Sequence, residues 1–422
     1  AAVLLILPFC VAQLDADRSD SDPAVPLSVV HSGVGPASRD AATDSLPADW
    51  ERPYMVPRYR YHVVNATWRW TKLGEVRAYR LFYALPLGQL ADRPPPRKRA
   101  TGFLPYWPGM GYTYRCTSAG EKQYYQDMRM SHYVFTHVKG GWACMRHLEI
   151  LAAGAVPYFL WLDKCPAAAL PHFPKALVAE AMALPGLYPN VILNTRSWNI
   201  RSAKPYINFS QFDQHRYSDL LRRLIVHTRE HLTTVSLANH VLKLMNATHA
   251  QRILMLLPHS ENSNGVFQLA DYQFVALLHG LRKVVGNGVT EHPRVPFLYR
   301  EGTVQQRDRM RKRLYGCGFS YAFKLDWDSS VNRTGFRPRI RDHHYDLIIY
   351  TLYKPKSGWG LPFWDEVQQA YKKHEIMLFD AQDAVDWWCH QGRTKFCQRA
   401  LERNGMLNKY SEYGVLFRTE PG

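Results

Sequence analysis

A chain of 422 residues that is 46% hydrophobic and 13% aromatic can hold two to three packed domains and is too apolar to be disordered throughout. Its formal net charge of +17 favours acidic partners: nucleotide sugars, anionic glycans, nucleic acid or membrane headgroups. Seven cysteines are too few for a disulfide-built scaffold, and no RNA-binding signature or long basic helix gathers the scattered arginines, so nucleic acid is set aside as a partner.

The chain opens with AAVLLILPFCVAQL, an apolar run too short to span a bilayer unaided. Residues 1–12 read as the tail of a signal peptide, with Cys10-Val11-Ala12 as a cleavage site, or as a signal-anchor remnant. A buried strand or helix is the ordinary alternative. Residues 13–50 carry seven Asp against two Arg among Ser, Ala, Pro and Gly, the composition of a disordered stem. Aromatic density rises at Trp50, where folded sequence begins. A second break, Ala91–Ala100, reads as an exposed loop whose charges are solvated.

From Thr101 to about Met245, strand and helix patterns alternate. HYVFTHV reads as a short buried strand, MRHLEILAAG as a helix, AVPYFLWL as a strand, and Arg216–Met245 as a long amphipathic helical stretch. Within KGGWACMRHLEILAAGAVPYF, Arg146 and Glu149 stand three apart and share a helix face. Such a pair is ordinarily a solvated surface salt bridge. Set above a glycine-opened helix start, it also suits a nucleotide diphosphate, which amides and an arginine favour while the carboxylate accepts from ribose hydroxyls.

After Asn246 the alternation resumes. RILMLLP, YDLIIY and EIMLFD read as strands, and ADYQFVALLHGLRKVVG and FWDEVQQAYKKH as helices. Strands separated by helices of this length predict parallel sheets with helices on both faces, so the fold class is α/β with two Rossmann-like domains facing across a cleft. Asn65, Asn208, Asn246 and Asn332 begin N-x-S/T sequons and favour the secretory route. Cys389 and Cys397 are close enough in sequence for a local disulfide, and no Cys/His set has the tight spacing of a zinc site.

The pattern R-x-x-E-x-x-x-x-G-x-x-P, with the glycines and tryptophan before it, resembles the donor half of inverting GT-B glycosyltransferases, particularly exostosin-like enzymes and related algal, viral and bacterial sequences. HGLRKVVG at His279, LYGCGF at Leu314, YDLIIYT at Tyr345, FDAQDA at Phe379 and GVLFRTEP at Gly414 resemble the other half of that family. That half normally precedes the donor half; here it follows. A circularly permuted enzyme, or adjoining halves of a tandem array, would give this order.

The resemblance implies a nucleotide-sugar donor domain over 51–248 and an acceptor-side Rossmann-like domain over 249–422. It implies transfer of a sugar from a nucleotide-sugar donor to a glycan or glycoprotein acceptor in the secretory pathway, in the Golgi lumen, with an N-terminal membrane anchor as one option. Lys139, Gly140, Gly141, Arg146 and Glu149 would bind the donor and Asp383 would act as the catalytic base. No cofactor is expected, and a divalent metal is possible without being required. Ser131, Tyr133 and Thr136 could line the same pocket, though ordinary strand packing explains them as well. Trp142 would contact the base or simply anchor the core.

The chain departs from the family by reading Ala-Gln-Asp at Asp383 where the family has GED, YTLY where it has YGS, and Ala143 where it has Asp. These departures bear on catalysis more than on fold, and leave a catalytically degenerate glycan-binding relative as an alternative. A metal-dependent GT-A-like transferase using Asp326 and Asp328 is another. His343 and His344 are acid–base candidates by chemistry and structural residues by position.

Overall fold

The computed structural model describes residues 50–94, 102–104, 114–138, 141–167, 169–257, 272–326, 329–352, 361–381, 389–390, 392, 394 and 397–419, apart from 195–198. The expectations for residues 1–12, most of the 13–50 stem, Lys139, Gly140, Asp328 and Asp383 fall outside these residues.

Two long antiparallel strands come first, β1 (Tyr54–Val64) and β2 (Thr67–Arg80), joined at Asn65 and Ala66. Next are α1 (Ser118–Arg129), β3 (Tyr133–His137), α2 (Met145–Ala152) and β4 (Val156–Leu160), with β3 and β4 parallel. Then follow α3 (Lys175–Met182), β5 (Leu187–Tyr188), β6 (Val191–Asn194), β7 (Asn199–Ala203) and β8 (Tyr206–Ile207). β5 pairs with β8 and β6 with β7, both antiparallel.

The expected helical stretch from Arg216 to Met245 is formed by two helices, α4 (Gln214–His231) and α5 (Thr234–Leu244). Thr233 breaks it by capping the new helix, its side chain accepting from the Ser236 amide. Leu85 enters the break, donating to the Leu232 carbonyl at 2.9 Å and accepting from Thr234 N at 2.9 Å. The interrupted backbone groups are thereby satisfied.

The remainder runs β9 (Ile253–Leu256), α6 (Tyr272–Val284), β10 (Val289–His292), α7 (Val304–Arg311), α8 (Phe336–Arg341), β11 (Leu347–Thr351), α9 (Trp364–Ala370), β12 (Ile376–Asp380), α10 (Cys397–Tyr410) and β13 (Val415–Arg418). The fold is mixed α/β around a mostly parallel seven-stranded sheet, in the order β1-β2-β13-β12-β11-β9-β10. β9, β11 and β12 are buried at every position, as strands covered on both faces must be. One face packs into a large core reaching β3, β4, α2, α4, α5 and α6; the other packs against α8, α9 and α10.

The glycine of HGLRKVVG has a packing reason. A Cβ on Gly280 would lie 1.9 Å from the Thr234 carbonyl oxygen, so α6 crosses α5 at backbone contact.

Sequence order and spatial order part at the N-terminus. Residues 51–80 were expected with the first domain, yet β2 runs parallel to β13, with Leu416 opposite Ala78 and Arg418 opposite Arg80. The reason is burial: Ala78 is fully enclosed beside the sheet core. Among the described residues, the first half keeps the parallel pair β3–β4 and the two short antiparallel pairings.

Candidate functional site

Every residue of α2 is buried, and with it both members of the Arg146–Glu149 pair. They do not form the surface salt bridge their spacing ordinarily means. The Arg146 guanidinium reaches the Tyr114 hydroxyl at 3.5 Å, and its Nε has no hydrogen-bond partner among the described residues.

Glu149 accepts from the Tyr124 hydroxyl at 2.9 Å and from Ser320 Oγ at 2.7 Å. Because the single Ser320 proton goes to Glu149, the Tyr125 hydroxyl, 2.8 Å from Ser320 Oγ, is the donor in that contact. A chain of hydrogen bonds thus runs from Tyr125 through Ser320 to Glu149. Burial raises the Glu149 carboxyl above its ordinary range, against the lowering effect of the two hydroxyl donors and of Arg146.

Ser320 lies 171 residues from Glu149 and follows the LYGCGF turn. That turn is made of left-handed residues: Gly316, Cys317, Gly318 and Ser320 itself, at φ 77°. A non-glycine residue there is strained and persists only where contacts hold it. Two contacts do so, because the Ser320 amide donates to Glu121 Oε1 at 2.9 Å while its hydroxyl holds Glu149.

Glu121 in turn meets Arg311 at 2.7 Å and Lys324 at 3.2 Å, the first pair fully enclosed. The Cys116–Cys317 disulfide ties the start of α1 to the same turn. Nothing in the sequence marked Tyr124, Tyr125, Ser320 or this disulfide. The glycines of LYGCGF were the available signal for a left-handed turn.

The other expected positions divide clearly. Gly141 lies buried just before α2. Ser131 Oγ donates to the Asp127 carbonyl at 3.0 Å, Tyr133 OH to the Ala181 carbonyl at 2.7 Å, and Thr136 Oγ1 lies 2.8 Å from His147 Nδ1. These three are held in strand and helix packing. Trp142 packs against the core, with its ring 6.3 Å from that of Phe159.

Asp326 is an exposed residue paired with Arg300 at 3.1 Å. Among the described residues no group of three or more His, Cys, Asp or Glu is placed to hold a metal ion. His343 is exposed, meeting Glu375 at 3.3 Å and stacking on Tyr371. The Cys389–Cys397 disulfide is formed. Asp380, three residues before Asp383, ends β12 fully buried, with Arg403 Nε at 2.9 Å and Arg418 Nε at 3.5 Å.

Along α1 lies a cavity of about 530 Å³, walled by α1, by Gly88 and Gln89, and by residues between Arg300 and Lys324. Comparisons with family models, with curated proteins and with solved structures found no match to this chain.

Proposed function

We propose that the chain is a glycosyltransferase of GT-B type that moves a sugar from a nucleotide-sugar donor to a glycan or glycoprotein in the secretory pathway. The observation that carries this reading is the meeting of two motifs. Glu149 of the R-x-x-E unit and Ser320 after LYGCGF are 171 residues apart and share a 2.7 Å hydrogen bond. Motifs of the two halves of the resemblance therefore adjoin at one place.

The parallel pairing of β13 with β2 supports the permuted order over a tandem array. A cavity walled by residues of both halves is consistent with two domains sharing a cleft. Two disulfides support an oxidising, lumenal compartment. In this reading Arg146, with its buried and incompletely bonded guanidinium, binds the donor diphosphate, Glu149 is held in place beside it, and Asp383 remains the candidate base.

A binding protein without transferase activity is the second reading. It is favoured by the two protein hydroxyls that already occupy Glu149. Thermal-shift titration of the full chain with UDP, GDP, CMP and ADP, with and without Mn²⁺, tests donor binding. One nucleotide is expected to raise the melting temperature without metal, and Arg146→Lys to remove that rise. No rise with any nucleotide would overturn the transferase reading, and a rise that needs Mn²⁺ would favour a metal-dependent site.

A further inference from the structure

The cavity beside α1 is built from one helix face. Ser118, Glu121, Lys122, Tyr125, Gln126 and Arg129 line it, the three- and four-residue spacing of a single stripe. The facing wall supplies Arg300, Arg307, Arg311 and Lys324. Among the described residues, six cations thus surround a space whose one acidic lining residue is Glu121.

Glu121 offsets only part of that charge. It is committed to the Arg311 ion pair, to Lys324 and to the Ser320 amide, and so fixes Arg311 in place. At the margins, Asp326 pairs with Arg300, and Asp308 accepts from the Ser118 amide and hydroxyl at 3.0 and 3.3 Å.

The Arg307 and Arg311 guanidiniums are also steadied over the Phe323 ring, at 6.0 and 5.2 Å from its centroid. Burial lowers the Lys324 ammonium below its ordinary range, only partly offset by Glu121. Like charges around a concave, partly desolvated space repel one another, and an oxyanion relieves that repulsion while accepting paired guanidinium N–H bonds.

We propose that this cavity is a binding site for a small ligand carrying two or more phosphate or sulfate groups. Its volume of about 530 Å³ suits a small molecule. Neither Arg146 nor Glu149 lines the cavity, although Tyr125, which does, is linked to Glu149 through Ser320.

Calorimetric titration of the full chain with tripolyphosphate, a disulfated disaccharide and its unsulfated parent, at low and high salt, tests it. A charged probe is expected to bind, the unsulfated sugar not, with affinity falling as salt rises. Lys122→Glu and Arg307→Glu should each weaken that probe by roughly tenfold or more. Arg307→Gln serves if the charge reversal fails to fold. The tighter of the two charged probes identifies phosphate or sulfate as the source. Binding of neither charged probe would overturn the proposal, as would binding unmoved by the Lys122 and Arg307 variants.

Discussion

Two buried carboxylates beside α1 are held in opposite ways. Tyr124 turns toward Glu149, whose carboxylate is held by hydroxyls of Tyr124 and Ser320. Glu121, one turn earlier, turns toward the cavity and is held by Arg311 and Lys324. Both carboxylates are buried and both lean on Ser320, one through its hydroxyl and one through its amide. A buried carboxylate can be kept by neutral donors or by cations, and the choice decides what its loss leaves behind. Removing Glu121 takes the carboxylate from a buried guanidinium; removing Glu149 takes an acceptor from two hydroxyls.

That contrast predicts the largest effect at Glu121. Glu121→Ala should cost about 3–5 kcal/mol in urea unfolding, because the buried Arg311 loses its carboxylate. Glu149→Ala should cost less. Equal losses would mean that Arg311 finds water or another partner, and the distinction between the two carboxylates would fail.

Ser320 sharpens the same comparison. Ser320→Ala removes the hydroxyl from Glu149 and Tyr125 and keeps a Cβ at φ 77°. Its cost should be about 1–3 kcal/mol, the range for leaving buried polar groups unpaired. Ser320→Gly deletes the same hydroxyl but relaxes the backbone, and should be about 1 kcal/mol less harmful than alanine. An alanine variant as stable as the glycine variant would show that the left-handed turn carries no strain.

The smallest effect is in pH dependence. His240 and His279 are buried, which lowers them to about 4 and about 3 from an ordinary 6.5. Between those values the unfolded chain binds more protons, so stability falls as pH drops below about 6.5. Glu149 acts in the opposite sense. Its folded value is raised above 4.5, so its contribution is present in acid and is lost as pH rises through that folded value. Glu149→Gln should therefore show a steeper gain of melting temperature between pH 4.5 and 6.5 than the parent chain. A shallower gain would mean that Glu149 is ionised throughout that range.

The repeating elements were legible because their signals are local. RILMLLP, YDLIIY and EIMLFD are apolar runs bounded by polar residues, and they form β9, β11 and β12. The helix of MRHLEILAAG and the strands on either side of it appear as α2, β3 and β4. The break between α4 and α5 was hidden, because Thr233 interrupts no apolar periodicity. It acts by capping, and Leu85 completes the break from elsewhere in the chain. Of the candidate site, Arg146 and Glu149 were visible as a pair, but their burial and their separate partners were not.

By itself the sequence determined which segments alternate as strands and helices, that Arg146 and Glu149 share one helical turn, and that the chain carries a large positive charge. Periodicity and composition report which way a residue faces on its own element, and those are properties of neighbours along the chain. Only the tertiary structure placed β2 beside β13, set Ser320 between Glu121 and Glu149, and gathered arginines from α1, α7 and Arg300 around one cavity. Such partners are chosen by packing between distant segments, where burial must outweigh the entropy of closing the chain between them, and no local pattern records that choice.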